Sequence, residues 1–157
     1  MLAVRRLVPA DIPALTDIAS ALPDYFTPDV PAKLEQDAAV HGGWVLDDSG
    51  AIRGFAVVAR RPPGAAEILW LAVERERRGR GAGTMLVSRL LDELAAGGIS
   101  LVEAKTLDAS AGYEPYVATR AFWERRGFVR IDTIDPLPGW GPGNPAAIYV
   151  AALRATR

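Results

Sequence analysis

A chain of 157 residues with a net charge of −1, half apolar and 24% charged, is long enough for one packed domain and has no overall pull towards nucleic acid or an anionic membrane. It holds no cysteine, which excludes disulfides, thiolate metal sites and a cysteine nucleophile, and its one histidine, His41, argues against a histidine-based metal centre. No signal peptide is visible and no run is long enough to span a membrane, so the expectation is a single cytoplasmic domain over residues 1–157.

Residues 2–7 alternate weakly and predict a first strand. Ile12, Leu15, Ile18, Ala19 and Leu22 have helical spacing over residues 11–22, with Pro13 admissible only in the first turn. Pro23, Pro28 and Pro31 then divide the chain into short pieces, and a second helix is expected over 33–40, ended by Gly42 and Gly43. Residues 44–46 and 52–60 read as a hairpin about the turn Asp47-Asp48-Ser49-Gly50. After Pro62-Pro63-Gly64 comes a strand, Glu67 to Val73, and then an arginine-rich stretch with Gly79, Gly81 and Gly83. A helix follows over 84–96, with Leu86, Leu90 and Leu94 on one face, stopped by Gly97 and Gly98. Strands are expected at 99–107, 128–134 and 146–153, a helix at 114–126, and a proline–glycine loop at 136–145. The strand–helix–strand unit with short loops favours a parallel pair. The order is mixed α/β, with helices packed about one sheet.

The stretch Glu67 to Gly83 organises the rest. Glycines let a ligand approach the backbone, and the first amides of a helix lack partners within it. A strand, a glycine turn and a helix start therefore make an anion site, most often for phosphate. No Gly-Lys-Ser/Thr follows, so it is not a Walker loop, and it is not a dinucleotide fingerprint. The competing reading is a tight turn beside solvated arginines.

Here the sequence resembles the GNAT acetyltransferase superfamily. Arg78-Gly79-Arg80-Gly81-Ala82-Gly83 fits R/Q-x-x-G-x-G/A, and Leu71 to Arg78 (LAVERERR) is similar to L-x-V-x-P-x-x-R, with Arg75 where proline is common. Phe122-Trp123-Glu124-Arg125-Arg126-Gly127-Phe128 is similar to the family's F-Y-E-x-x-G-F. KTL at Lys105 to Leu107, TRAFWERRGF and GPGNP together resemble one bacterial subgroup. The resemblance covers nearly the whole chain and is strongest from residue 66. It implies a mostly antiparallel sheet of six or seven strands with a parallel central pair and about four helices.

It also implies transfer of an acetyl group from acetyl-coenzyme A to an amine of a small molecule or peptide, by direct attack, without a metal. Arg78, Gly79, Arg80, Gly81, Ala82, Gly83 and Thr84 would then hold the cofactor, with Leu71, Ala72 and Val73 beside its pantetheine arm and Trp123 near its sulfur. Glu67 is the candidate general base, with strand parity placing it beside Leu69, Leu71 and Val73; its alternative is a solvated strand-start glutamate. Trp123 stands where the family usually has a tyrosine, and an indole N–H is no acid at neutral pH. Solvent, Tyr116 or Tyr113 would protonate the leaving thiolate, or the protein would be an acyl-coenzyme A binding relative with weak or no catalysis. Tyr25, Phe26 and Trp140 are loop aromatics that line a pocket or plug a core. Asp132 and Asp135 either attract a cationic amine or are solvated, and His41 reads as a surface residue. A nucleic-acid role for the arginine–glycine stretch ranks last, and the sequence leaves open whether the chain forms a homodimer.

Overall fold

The computed structural model describes residues 1–154. Its strands, in chain order, are β1 (Leu2–Arg6), β2 (Gly43–Asp48), β3 (Ala51–Arg61), β4 (Ala65–Val73), β5 (Leu101–Leu107), β6 (Val129–Ile134) and β7 (Ala146–Ala152). The α-helices are α1 (Ile12–Ser20), α2 (Val30–His41), α3 (Ala82–Ala96) and α4 (Val117–Arg125). All seven strands join one sheet in the order β1-β2-β3-β4-β5-β7-β6. Every neighbouring pair is antiparallel except β4 and β5, which the α3 crossover makes parallel. This is the mixed α/β sheet expected from the sequence, at the upper end of the predicted strand number. No helix among the described residues is long and apolar enough to cross a membrane.

The sheet separates two apolar layers. On one face, Leu86, Val87, Leu90 and Leu94 of α3 are fully or almost fully buried against Ala56, Val58, Ile68, Val102 and Ala104, with Trp123 and Phe128 extending the cluster. Each such leucine is worth about 1.5–3 kcal/mol of burial. On the other face, Leu15, Leu22 and Leu34 from α1, α2 and their connection close over Val45, Phe55 and Val57.

Local rules explain the differences from the predicted boundaries. The second helix begins at Val30, three residues early, because Pro31 falls in its first turn, where a missing N–H costs nothing. The β2–β3 turn contracts to Ser49 and Gly50, both with positive φ, which suits the twist of a two-residue hairpin. The expected helix over 114–126 starts with a 3-10 turn at Glu114–Tyr116, so Tyr116 caps α4 rather than lying within it.

One expectation about the site is corrected. Glu67 pairs with Ala59 and Ile68 with Val58, but Trp70 pairs with Val57, so Leu69 is an extra residue in β4. A bulge reverses the alternation of side chains beyond it. Leu71 packs in the α3 layer while Leu69, Trp70 and Ala72 pack in the α1–α2 layer. Glu67 therefore shares a face with Leu69 but not with Leu71.

Candidate active site

The β4–β5 ladder runs from Ala65/Leu101 to Ile68/Ala104 and stops there. Trp70 to Val73 remain paired to β3 on one side, while from Leu69 onward the β5 side of the strand is open. The two strands thus part like a fork. The gap opens into a cavity of about 560 Å³, lined along β4 by Ile68 to Val73 and along β5 by Lys105 and Thr106. That volume is within the usual range for a small-molecule site.

One end of the cavity is the glycine turn. Gly79 and Gly81 have φ of +73° and +79°, and nothing lies within 4 Å of where a Cβ would stand at either. Gly81 is the N-cap of α3, and no side chain caps it. Ala82, Gly83 and Thr84 line the cavity, and their amides lack helical partners at the positive end of a fifteen-residue helix. Gly83 serves packing instead: a Cβ there would stand 3.2 Å from the Phe122 ring. Arg78, Gly79, Gly81, Ala82, Gly83 and Thr84 all line the cavity, but Arg80 does not and is exposed. Arg77, Arg125 and Arg126 line it as well, and Arg126 donates to the Thr84 hydroxyl. The Arg78 guanidinium lies 4.4 Å over the Tyr25 ring, so this arginine ties the turn to the opposite wall.

The structure brings Trp123 into the cavity wall but buries it at 4% exposure, edge-on to Phe128 with ring centres 4.8 Å apart. Tyr116 also lines the cavity. Its hydroxyl donates to the Tyr25 carbonyl at 2.9 Å, and burial, helped by Tyr113 and Tyr25, pushes its pKa up to about 12. Tyr113 is half exposed and donates to the Asp24 carbonyl instead. Tyr25, Phe26 and Trp140, the loop aromatics singled out in the sequence, all reach the cavity. They are joined there by Trp70, whose indole donates to Asp37 at 2.7 Å.

Glu67 is buried, at 5% exposure, but it is not part of the cavity wall. One carboxylate oxygen accepts from Arg61 at 2.8 Å and the other lies 3.1 Å from the Lys105 ammonium. Lys105 is held as well by Glu103 at 3.3 Å, and the two carboxylates keep its pKa raised against the opposing effect of burial. Glu67 thus sits behind Lys105, and to act on an acceptor it would have to reach past that side chain.

Among the cavity residues that sequence reasoning passed over are Lys105 and Thr106. Lys105 appeared there only within the KTL motif. Thr106 faces the α3–α4 layer, is 4% exposed, and its hydroxyl has no hydrogen-bond partner among the described residues. The only signal for it was a polar residue at a buried position of an alternating strand, which is weak from one sequence. Asp132, Asp135 and His41 lie outside the cavity wall. Asp135 accepts from the Gly143 amide and so shapes the proline–glycine loop.

The sequence pattern of the acetyltransferase (GNAT) family matches residues 12–128. A comparison with curated protein sequences finds no match. Among solved structures, the chain is similar to a GNAT-family protein from Desulfovibrio desulfuricans, with 22% identity and a TM-score of 0.84 over 98% of this chain and 100% of that one. It is similar to the ribosomal-protein-S18-alanine N-acetyltransferase of Escherichia coli, with 20% identity and a TM-score of 0.77 over 100% and 97% of the two chains. An aminoglycoside 6′-N-acetyltransferase solved with coenzyme A has 18% identity and a TM-score of 0.74 over 99% of each chain. At these identities the likeness is one of fold.

Proposed function

The chain belongs to the acetyltransferase (GNAT) family, and from that premise we propose that it acetylates an amine of a small molecule or peptide, by direct attack on the thioester of acetyl-coenzyme A. The observation that carries this reading is the fork between β4 and β5, which runs directly into an uncapped helix start. Acetyl-coenzyme A, when bound, supplies the activated acetyl group.

The amides of Ala82, Gly83 and Thr84 are suited to the pyrophosphate, assisted by the arginines at that end of the cavity. The open edge of β4 at Leu71, Ala72 and Val73 offers backbone donors and acceptors to an extended, amide-bearing arm. A backbone N–H there is also suited to the carbonyl oxygen that gains charge as the amine attacks. The buried Thr106 hydroxyl adds a donor and an acceptor beside the arm.

The acceptor must lose its proton before it attacks. An ammonium moved into a wall of Tyr25, Phe26 and Trp70 loses hydration, and this lowers its proton affinity without a dedicated base. Glu67 acts here as a positioning residue that fixes Lys105. Glu67→Gln should therefore leave kcat within a few-fold of the parent and its pH profile unshifted. A general base would cost about 10²–10⁴-fold.

The second reading, a binder without turnover, is favoured by Trp123 at the usual tyrosine position and by the weak acidity of Tyr116. It is not required. An ordinary thiol has a pKa of about 8.5 and takes a proton from water at neutral pH without a positioned acid. Thiol release from acetyl-coenzyme A across a panel of amines decides between the two readings. Amine-dependent release supports the enzyme; stabilisation by acetyl-coenzyme A with no release from any amine supports the binder.

A further inference from the structure

Resting on the proposed transfer to an amine, we propose that the acceptor is an aliphatic primary amine that also carries an aromatic ring and a carboxylate. Its ring sits among Phe26, Trp70 and Trp140, and its carboxylate meets Lys105. The charged side chains that line the cavity are Arg77, Arg78, Arg125, Arg126 and Lys105; no carboxylate lines it among the described residues.

The arginines gather at the glycine turn, where Arg77 is tied to Asp48, Arg78 to the Tyr25 ring and Arg126 to Thr84. Lys105 stands apart, on the lip of β5 just past Ala104, the last residue paired to β4. An ammonium has three N–H donors. Glu67 and Glu103 take two of those on Lys105, at 3.1 and 3.3 Å, and the side chain still borders the cavity. The third is available to an anion on the acceptor. Asp37, which lies behind Trp70, is turned to the Trp70 indole.

This distribution is wrong for a polycation. A polyamine or an aminoglycoside brings several ammonium groups, each costly to bury where no carboxylate lines the wall. It is right for a flat molecule with one amine and one anion. Phe26 and Trp70 lie tilted at 56°, with centroids 6.2 Å apart, and Trp70 is fixed by its bond to Asp37, so the wall presents ring faces and edges held in place.

The test titrates the coenzyme A-loaded protein with phenylalanine, phenethylamine and spermidine, followed by tryptophan fluorescence, since Trp70 and Trp140 border the cavity. Phenylalanine should bind roughly tenfold or more tighter than phenethylamine, the size of one charge-assisted hydrogen bond. Spermidine should be the weakest of the three. Lys105→Met should abolish the difference between phenylalanine and phenethylamine, and Lys105→Arg should keep it. The inference is overturned if phenethylamine or spermidine binds as tightly as phenylalanine, or if the preference survives Lys105→Met. Binding of none of the three to protein that coenzyme A stabilises also overturns it, while leaving the acetyltransferase reading intact. If coenzyme A itself gives no thermal stabilisation, that reading fails and the inference fails with it.

Discussion

The two walls of the cavity are assembled from different distances along the chain. The wall carrying α3 is made by neighbours in sequence, from Arg77 to Thr84, resting on a helix whose Leu86, Leu90 and Leu94 fill the core beneath it. The opposite wall is tied together by single contacts between remote segments. Tyr116 reaches the Tyr25 carbonyl 91 residues away, and Tyr113 reaches the Asp24 carbonyl 89 residues away. The first wall depends mainly on a packed helix and on main-chain groups. The second depends on side chains, with Tyr25, Phe26 and Trp140 from loops and Trp70 from β4, so its lining can be altered while the sheet stays as it is.

The largest effect that separates the walls is expected at Leu90, which is fully buried under α3. Leu90→Ala should cost about 2–5 kcal/mol of stability, by chemical unfolding, while the protein that remains folded binds coenzyme A as before. An equal loss of coenzyme A affinity in the folded fraction would mean that the core and the turn are not separable.

A smaller effect is expected at Tyr116. Tyr116→Phe removes one hydrogen bond to Tyr25 and should cost about 1 kcal/mol, raising the KM for the amine more than that for acetyl-coenzyme A. Its pH dependence has a definite sign. The folded-state pKa is raised to about 12 from 10, so the folded protein holds this proton more tightly than the unfolded chain does. The resulting stabilisation is complete below pH 10 and lost as pH rises from 10 to about 12. Tyr116→Phe should flatten the fall in stability across that window.

The smallest is expected at Thr106. Thr106→Val keeps the side-chain shape and removes a buried hydroxyl that has no partner among the described residues. The melting temperature should stay level or rise, because no intramolecular bond is lost. Affinity for coenzyme A should fall a few-fold by calorimetry. A fall in stability with no change in affinity would place the hydroxyl in the fold rather than in the site.

The same contrast explains what could be read from sequence. The glycine turn was legible because its chemistry is local: Gly79, Gly81 and the helix start lie within a few residues, and each has one dominant physical use. The parallel pair and the face of α3 followed from period and connection length. The orientation of Glu67 was not legible, because one extra residue at Leu69 reverses strand parity and no residue type there announces a bulge. The partnership of Glu67, Arg61 and Lys105 joins three strand positions that only the sheet brings together. Tyr25, Phe26 and Trp140 were visible as loop aromatics, but their meeting with Trp70 around one cavity is a property of the tertiary fold. Arg80, grouped with its neighbours by the motif, points away from the cavity because alternate residues of an exposed turn need not share a side.

The central claim is that the uncapped start of α3 holds a phosphate-bearing cofactor. It is tested most directly by thermal unfolding with and without coenzyme A in the parent, Gly81→Asn and Gly81→Asp proteins. Residue 81 has φ of +79° with open space around it, and asparagine and aspartate both tolerate that conformation. The two variants should unfold at similar temperatures without ligand. Coenzyme A at about 100 times its Kd should stabilise the parent by about 2.7 kcal/mol and Gly81→Asn nearly as much. It should stabilise Gly81→Asp little or not at all, because a carboxylate then stands where the phosphates bind. Equal stabilisation of all three proteins, or none of the parent, would contradict the account.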